Sequence, residues 1–535
     1  MFPPLVQPLA DVIVVGSGAS AVNAAVPLVE AGRGVRMLDV GNRGDRYQVP
    51  DVPLDELRRT DPEQHRYLLG DNFEGIGFEH MGAGAQLTPP RQFVCADADR
   101  LQPVTSTSFF PLHSLAEGGL AGAWGAGSPS FVEPDFAGFP IGYADLAPHY
   151  EAVAARIGIN GERDDLLPFL GELAALQPAV HTDDNGRTIL ARYAKARARV
   201  NGRGLWLGHP RLAMLSQPLG GRAPTRYHDL DFWSDAGKSV YRPRWTVDEL
   251  RSRGNFELVS RKLVTELVER GDHVEVIARD VDTGMVEMHR ARTVVLGAGT
   301  LGSTRIALRS LAAYGNRVPI VCNPHTYMAL VNLNQLGKPM HPERHSLAQL
   351  CVVHAPDGPQ RPFTVGHLYS YRSLLMFRLM KDAPLPHRDG LEILRHLSPS
   401  FVVMILQHAD TPTAQKYCEL DGDRFTVEYE LTAGEQAEID AVESNITKTL
   451  YRLRLVKMRT VRPGHAASTH FAGTLPMQHA DAPLTTDRDG QLRGMKRVFV
   501  VDGSVFPTLP SKGLTFTMMA NANRIGAGLA KRSLG

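Results

Sequence analysis

Cysteine is scarce in this chain. Cys95, Cys322, Cys351 and Cys418 are the four among 535 residues, far apart and without a CxxC pair. That spacing argues against a disulfide framework or a zinc site and leaves buried thiols in a reducing compartment as the expectation. An excess of either charge is also missing: 58 Lys+Arg face 57 Asp+Glu, a formal net charge of +1. Nothing electrostatic therefore favours nucleic acid or an anionic membrane, and a small neutral substrate suits the balance better. Long apolar runs are absent too. The longest candidate, FVVMIL at 401–406, falls far short of the ~18 residues a membrane span requires and reads as a buried strand. The opening MFPPLVQPLADVIVV has no basic stretch and runs into a glycine turn. A strand is expected there rather than a secretory leader, and a cytoplasmic location with it. No repeat or low-complexity tract is visible.

What is present is ordinary globular composition, 43% hydrophobic and 21% charged, in a chain long enough for two domains. Asp11 to Val15 reads as a buried strand, Ala19 to Ala31 as a helix of small residues and Val35 to Val40 as a second strand, a βαβ opening. Residues 41–110, rich in Pro, Gly and charge, read as long loops with short helices. Ala144 to Ile157 is helical by pattern, and residues 160–225 carry no clear period. Between 256 and 296, FELVS, LVTELVE, HVEVIA, MVEMHR and TVVLG read as successive strands. FTVEYEL then predicts a strand, Ala433 to Arg454 a long helix, VFVVD at 498–502 a strand and Phe516 to Lys531 the last helix.

Four motifs carry the chemistry. In Gly16-Ser17-Gly18-Ala19-Ser20-Ala21, Gly16 permits the tight turn, Gly18 lets a pyrophosphate approach, and Ala21 allows close helix–strand packing. The free N–H groups of the following helix suit phosphate, and Asp39 at the end of the second strand is placed for ribose hydroxyls. This is a dinucleotide fingerprint that does not separate NAD from FAD. The second motif, Gly118, Gly119, Gly122, Ala123, Trp124 and Gly125, is either a surface for a flat ligand or a flexible loop. The third, TVVLGAGTLGS with Ala298 and Gly299 at its turn, is either a second phosphate-side element or a plain chain reversal. The fourth joins STHFAGT, which contains His470, to VFVVDGSVFPTLPSKGLTFT, where Asp502 ends a strand and Ser511 to Thr517 precede a helix.

In this order the motifs resemble the glucose–methanol–choline (GMC) oxidoreductases, over about the first 160 residues, 255–310 and 465–531. The resemblance implies an α/β (α+β two-domain) fold. A Rossmann-like FAD-binding domain (1–160, 225–318 and 462–535) would carry an inserted substrate-binding domain (161–224 and 319–461) built on an antiparallel sheet. It implies FAD, with Asp502 and Gly503 at the pyrophosphate or ribityl region, the backbone of Val264 at the adenine, and Leu514 and Thr515 at the helix end facing the ring. It also implies oxidation of an alcohol on a sugar, a cyclitol or a specialised biosynthetic intermediate, by hydride transfer to flavin N5 with His470 as base. Imidazole suits that task because neutral histidine accepts a proton near working pH.

Two departures stand out. Relatives carry a second His or Asn where this chain has Gly513, so either His470 acts alone, or Ser511, Lys512 or Asn521 supplies the missing group, or the chemistry differs. A lyase or isomerase with a non-redox flavin is the alternative reading. A histidine that anchors flavin covalently in some relatives is Ala123 here, which predicts non-covalent FAD. The acceptor that reoxidises the flavin, oxygen or another, is left open. His465 is expected to be structural. His325, His341, His345, His354, His367 and His408 form either a polar pocket or a scatter of surface residues, and no metal device is evident.

Overall fold

The computed structural model describes residues 5–44, 47–73, 88–370 and 386–532. Its first strand, β1 (Leu5–Val15), starts earlier than its apolar run. Pro8 lacks an N–H, and the register slips between Val6 and Leu9, so the proline sits at an irregularity rather than inside a regular ladder. Helix α1 (Ala19–Glu30) and strand β2 (Val35–Leu38) complete the expected βαβ unit. The alanines of α1 are buried, and their small side chains bring the helix close to the sheet.

β1 lies parallel to β2 on one side and to Val286–Leu296 on the other. Phe256–Val259 extends the parallel ladder beyond β2, and Val498–Val500 extends it beyond Val286–Leu296. MVEMHR and TVVLG thus form one strand rather than two, because no Gly or Pro interrupts them. Its first half pairs antiparallel with Val274–Asp280, which pairs in turn with Lys262–Glu269. The parallel core consequently carries an antiparallel meander on one edge.

A second, six-stranded sheet is antiparallel throughout, in the order 455–461, 325–332, 401–407, 364–370, 350–354, 205–208. Side chains alternate across a strand. One face, with Met328, Leu330, Leu368, Val402, Met404 and Leu406, packs on Asp184–Asn201 and Ala433–Leu450 through Ile189, Tyr193, Ile446 and Leu450. The opposite face is turned to a large cavity. Helix Asp184–Asn201 was not foreseen in the aperiodic 160–225 stretch. Its start is fixed by Asp183, whose carboxylate accepts from the Gly186 N–H at 2.9 Å. The chain is therefore a mixed α/β protein with several sheets.

Candidate active site

A cavity of about 1300 Å³ lies between the two sheets. Its first wall is mostly backbone. Gly16 has a φ of +94°, and a Cβ there would stand 2.4 Å from the carbonyl oxygen of Gly297. The turn after β1 is thereby nested on the turn after Val286–Leu296, and only glycine fits. Gly16, Gly18, Ala19, Ser20, Ala298, Gly299, Gly503, Leu514 and Thr515 all border the cavity. Three helices, α1, Thr300–Ser310 and Thr515–Lys531, begin here, and no side chain caps any of them. Their free N–H groups and positive dipole ends converge on the same space.

The Gly-rich loop leans against this turn, with Gly119 packed on Gly18. Ala123, Trp124 and Gly125 line the cavity, and Trp124 is held by an Nε1–H bond of 2.8 Å to the Tyr241 carbonyl. Three residues expected at the ligand stand behind the lining instead. Ala21 packs against Gly297, Gly122 against Val94, and Gly118 donates its N–H to the Ser17 hydroxyl at 3.0 Å. They shape the turns that others present. Val264 lines the wall at its far end, near Asp39.

Asp39 is half-buried at the cavity wall, and loss of water pushes its carboxyl up to about 6, although the Ser17 hydroxyl and the Gly41 N–H stabilise the anion. A partly desolvated carboxylate with spare acceptor capacity suits hydroxyl donors. Asp502 is already engaged: it accepts from the Ser303 hydroxyl and from the Ser504 N–H, and so locks the turn. Uncapped helix ends, a glycine cradle and a carboxylate with spare acceptor capacity, spread along a cavity larger than a drug-sized ligand needs, fit an extended dinucleotide such as FAD.

The second wall is made of side chains. The register puts His325, Tyr327 and Ala329 opposite Gln407, Ile405 and Val403, with His367 and Tyr369 on the next strand, all on the cavity face. His470 reaches the same space from the segment before Phe471. Its Nδ1 lies 3.2 Å from the Asn323 side-chain oxygen. The Asn323 amide nitrogen donates to the carbonyls of His408 and Pro510, at 2.8 and 2.9 Å, so its oxygen faces His470 as an acceptor. His470 Nδ1 must then carry the proton, which leaves Nε2 with a free lone pair. Burial pushes His470 down to about 4, with His367 adding to the effect, so its ring is neutral at ordinary pH.

The three side chains considered as substitutes at Gly513 are not brought to His470. The Ser511 hydroxyl donates to the Phe363 carbonyl and accepts from the Val365 N–H. Lys512 donates to Asp135 at 2.5 Å and to the Ser130 carbonyl, fully buried. Asn521 is enclosed in the last helix, with its oxygen engaged by Arg524. Ser511 and Lys512 are committed elsewhere, the Asn521 amide nitrogen is buried without a partner, and none of the three lines the cavity. Of the histidines between 320 and 460, His325 and His367 enter the cavity. His408 is buried and bonded to Thr326, His345 is bonded to Gln349, His354 is buried, and His341 is exposed. Both earlier readings of that group were too uniform. Sequence reasoning missed Asn323 and the Tyr327–Tyr369–Gln407 face. The alternation in HTYMA and HLYS is the signal that would have marked it.

Among the described residues, no group of three His, Cys, Asp or Glu side chains is placed to hold a metal, and no helix is long and apolar enough to cross a membrane.

Comparison with known proteins agrees with this geometry. The family model described as GMC oxidoreductase matches residues 421–522. The chain is 24% identical to 6'''-hydroxyparomomycin C oxidase of Streptomyces lividus, over 97% of this chain and 91% of that one. Among solved structures it shares its fold with pyridoxine 4-oxidase from Mesorbium loti at a TM-score of 0.60 and 15% identity, covering 97% of this chain and 99% of that one. A fungal aryl-alcohol oxidase superposes with a TM-score of 0.57 and 12% identity, covering 98% and 99%.

Proposed function

Because the chain belongs to the GMC oxidoreductase family, we propose that it oxidises an alcohol group of a small molecule to a carbonyl, with FAD on the backbone wall and His470 as base. The observation that carries this reading is the orientation of His470: Asn323 holds Nδ1–H, and the bare Nε2 borders the cavity. Bound FAD would supply the two-electron acceptor that takes hydride from the alcohol carbon. The residues of this chain do the rest. His470 Nε2 takes the hydroxyl proton, the uncapped helix ends hold the pyrophosphate, and Asp39 accepts from ribose hydroxyls. The aromatic and aliphatic face of Tyr327, Tyr369, Ile405 and Val403 keeps water out.

On this reading the parallel core is the FAD-binding part and the antiparallel sheet the substrate-binding part, divided at the boundaries expected above. Ala123 offers no nucleophile in the Gly-rich loop, so FAD is held non-covalently there. The three similar proteins named above are all named as oxidases, and one is named for aryl alcohols, which supports alcohol oxidation. The test is to add sugars, cyclitols and simple and aromatic alcohols anaerobically to the purified protein while recording the visible spectrum. Loss of the flavin band with one class is expected. A flavin that stays oxidised while a substrate is converted would show the lyase or isomerase reaction instead.

A further inference from the structure

Position 513 is bare without needing to be. A Cβ built on Gly513 would lie 3.7 Å from His470 Cε1 and 3.9 Å from Nε2, ordinary contact distances, and the backbone is not in the left-handed region. Neither sterics nor conformation demands glycine. A side chain here would stand beside the base, and in its absence a substrate oxygen held by Nε2 lacks a second partner from this loop.

The opposite wall offers one. His325 borders the cavity, and both of its ring nitrogens are buried without a hydrogen-bond partner. Its ring lies 5.8 Å from that of His470, centroid to centroid, and nearly perpendicular at 89°. Directly across the ladder, Gln407 also borders the cavity, and its side-chain oxygen is buried without a partner. Buried polar atoms left unpaired cost free energy and are few in native proteins. Here several converge beside His470, which borders the cavity and whose Nδ1 is held by Asn323. A hydroxyl-bearing ligand would satisfy them.

Resting on the oxidation proposed above, we infer that His325 is the second catalytic residue at the substrate oxygen, replacing from the antiparallel sheet the side chain that position 513 lacks. The substrate O–H proton goes to His470 Nε2, and the C–H bond breaks with its electron pair passing to FAD. The C=O bond forms while a neutral His325 N–H donates to that oxygen. His325 neither gains nor loses a proton. Its neutrality follows from burial, with His470, His408 and His367 nearby each disfavouring a positive charge. Gln407 completes the pocket by accepting from a neighbouring hydroxyl or N–H of the ligand.

The test compares wild type, His325→Ala, His325→Gln and the double variant His325→Ala/Gly513→Asn, using the first alcohol in the panel that bleaches the wild-type flavin. Removing one such donor lowers the flavin-reduction rate by about 100-fold, with FAD content and melting temperature unchanged. His325→Gln, which retains an N–H, and Gly513→Asn in the double variant, which introduces one beside His470, each recover at least about tenfold. Independently of turnover, adding the carbonyl product to the oxidised holoenzyme shifts an imidazole ¹⁵N signal that is missing from His325→Gln. An unchanged rate in His325→Ala overturns the inference alone, as does a loss that neither Gln nor Asn restores. A wild-type flavin that no alcohol bleaches overturns the oxidation reading and this inference with it.

Discussion

The two walls of the cavity are built from different materials. One is backbone: glycine turns nested within van der Waals contact and three uncapped helix ends. The other is a sheet face on which every second side chain reaches inward. A backbone wall is specific for phosphate and ribose because N–H groups and dipoles read charge, and any side chain there would be in the way. A side-chain wall can be rewritten one residue at a time without disturbing the ladder beneath it. On the proposed reading, the contrast separates the wall that would hold the cofactor from the wall that would choose the alcohol.

That contrast can be broken most sharply at His470. His470→Ala should lower the rate of anaerobic flavin reduction by about 10²–10⁴-fold while FAD content stays at the wild-type level, because the ring belongs to the substrate side. Parallel loss of FAD would show that the two walls are not separable. Asn323→Ala acts through the same ring and is expected to cost less, with the loss confined to the rate.

The loop that joins the walls is pinned by the buried Lys512–Asp135 pair. Lys512→Ala leaves Asp135 buried without its cation, and urea unfolding should show a loss of about 3–5 kcal/mol. A small loss there, combined with a large loss of turnover, would return Lys512 to the chemistry. On the backbone wall, Asp39→Ala should weaken FAD binding by about 10–100-fold, the worth of hydrogen bonds to a partly desolvated carboxylate, and should leave the reduction rate of FAD-saturated protein intact.

The smallest expected effect is on pH. Burial holds His470 at about 4, against an ordinary 6.5. The base form therefore persists below neutrality and is lost only as pH falls toward that lowered value. Flavin reduction at about pH 5 should match that at neutrality within about twofold. An acid limb centred near the ordinary histidine value would mean that the ring is more hydrated than its surroundings indicate.

The same contrast explains what could be read in advance. Gly16, Gly18, Asp39, Ala298 and Asp502 stand at fixed offsets from strand ends, and local turn geometry requires those residue types, so the backbone wall was legible along the chain. Ala21, Gly118 and Gly122 were recognised as part of it but placed one layer too far forward, because close packing between turns is a tertiary fact. His470 was singled out by its motif, and the fold brings it to the cavity. Alternation within HTYMA and HLYS could have marked a face, but His325, His367 and Gln407 are brought together by register between strands distant in sequence, and Asn323 by its bonds to the His408 and Pro510 carbonyls, which no single window of residues displays. Helix Asp184–Asn201 escaped because its outward face is so polar that the apolar period is thin. Ser511 and Lys512 were near the right place in sequence, yet their buried bonds to Phe363, Ser130 and Asp135 hold them away from the cavity, and Asn521 is bonded to Arg524 within its own helix.

The account stands on the claim that the alcohol carbon on one wall delivers hydride to a cofactor held on the other. The most direct measurement is anaerobic stopped-flow reduction of the bound flavin by an alcohol that bleaches it, compared with the same alcohol deuterated at the reacting carbon. The account predicts a slower bleach with deuterium and one carbonyl formed per flavin reduced. A bleach insensitive to deuterium with no carbonyl, or carbonyl formed while the flavin remains oxidised, would contradict it.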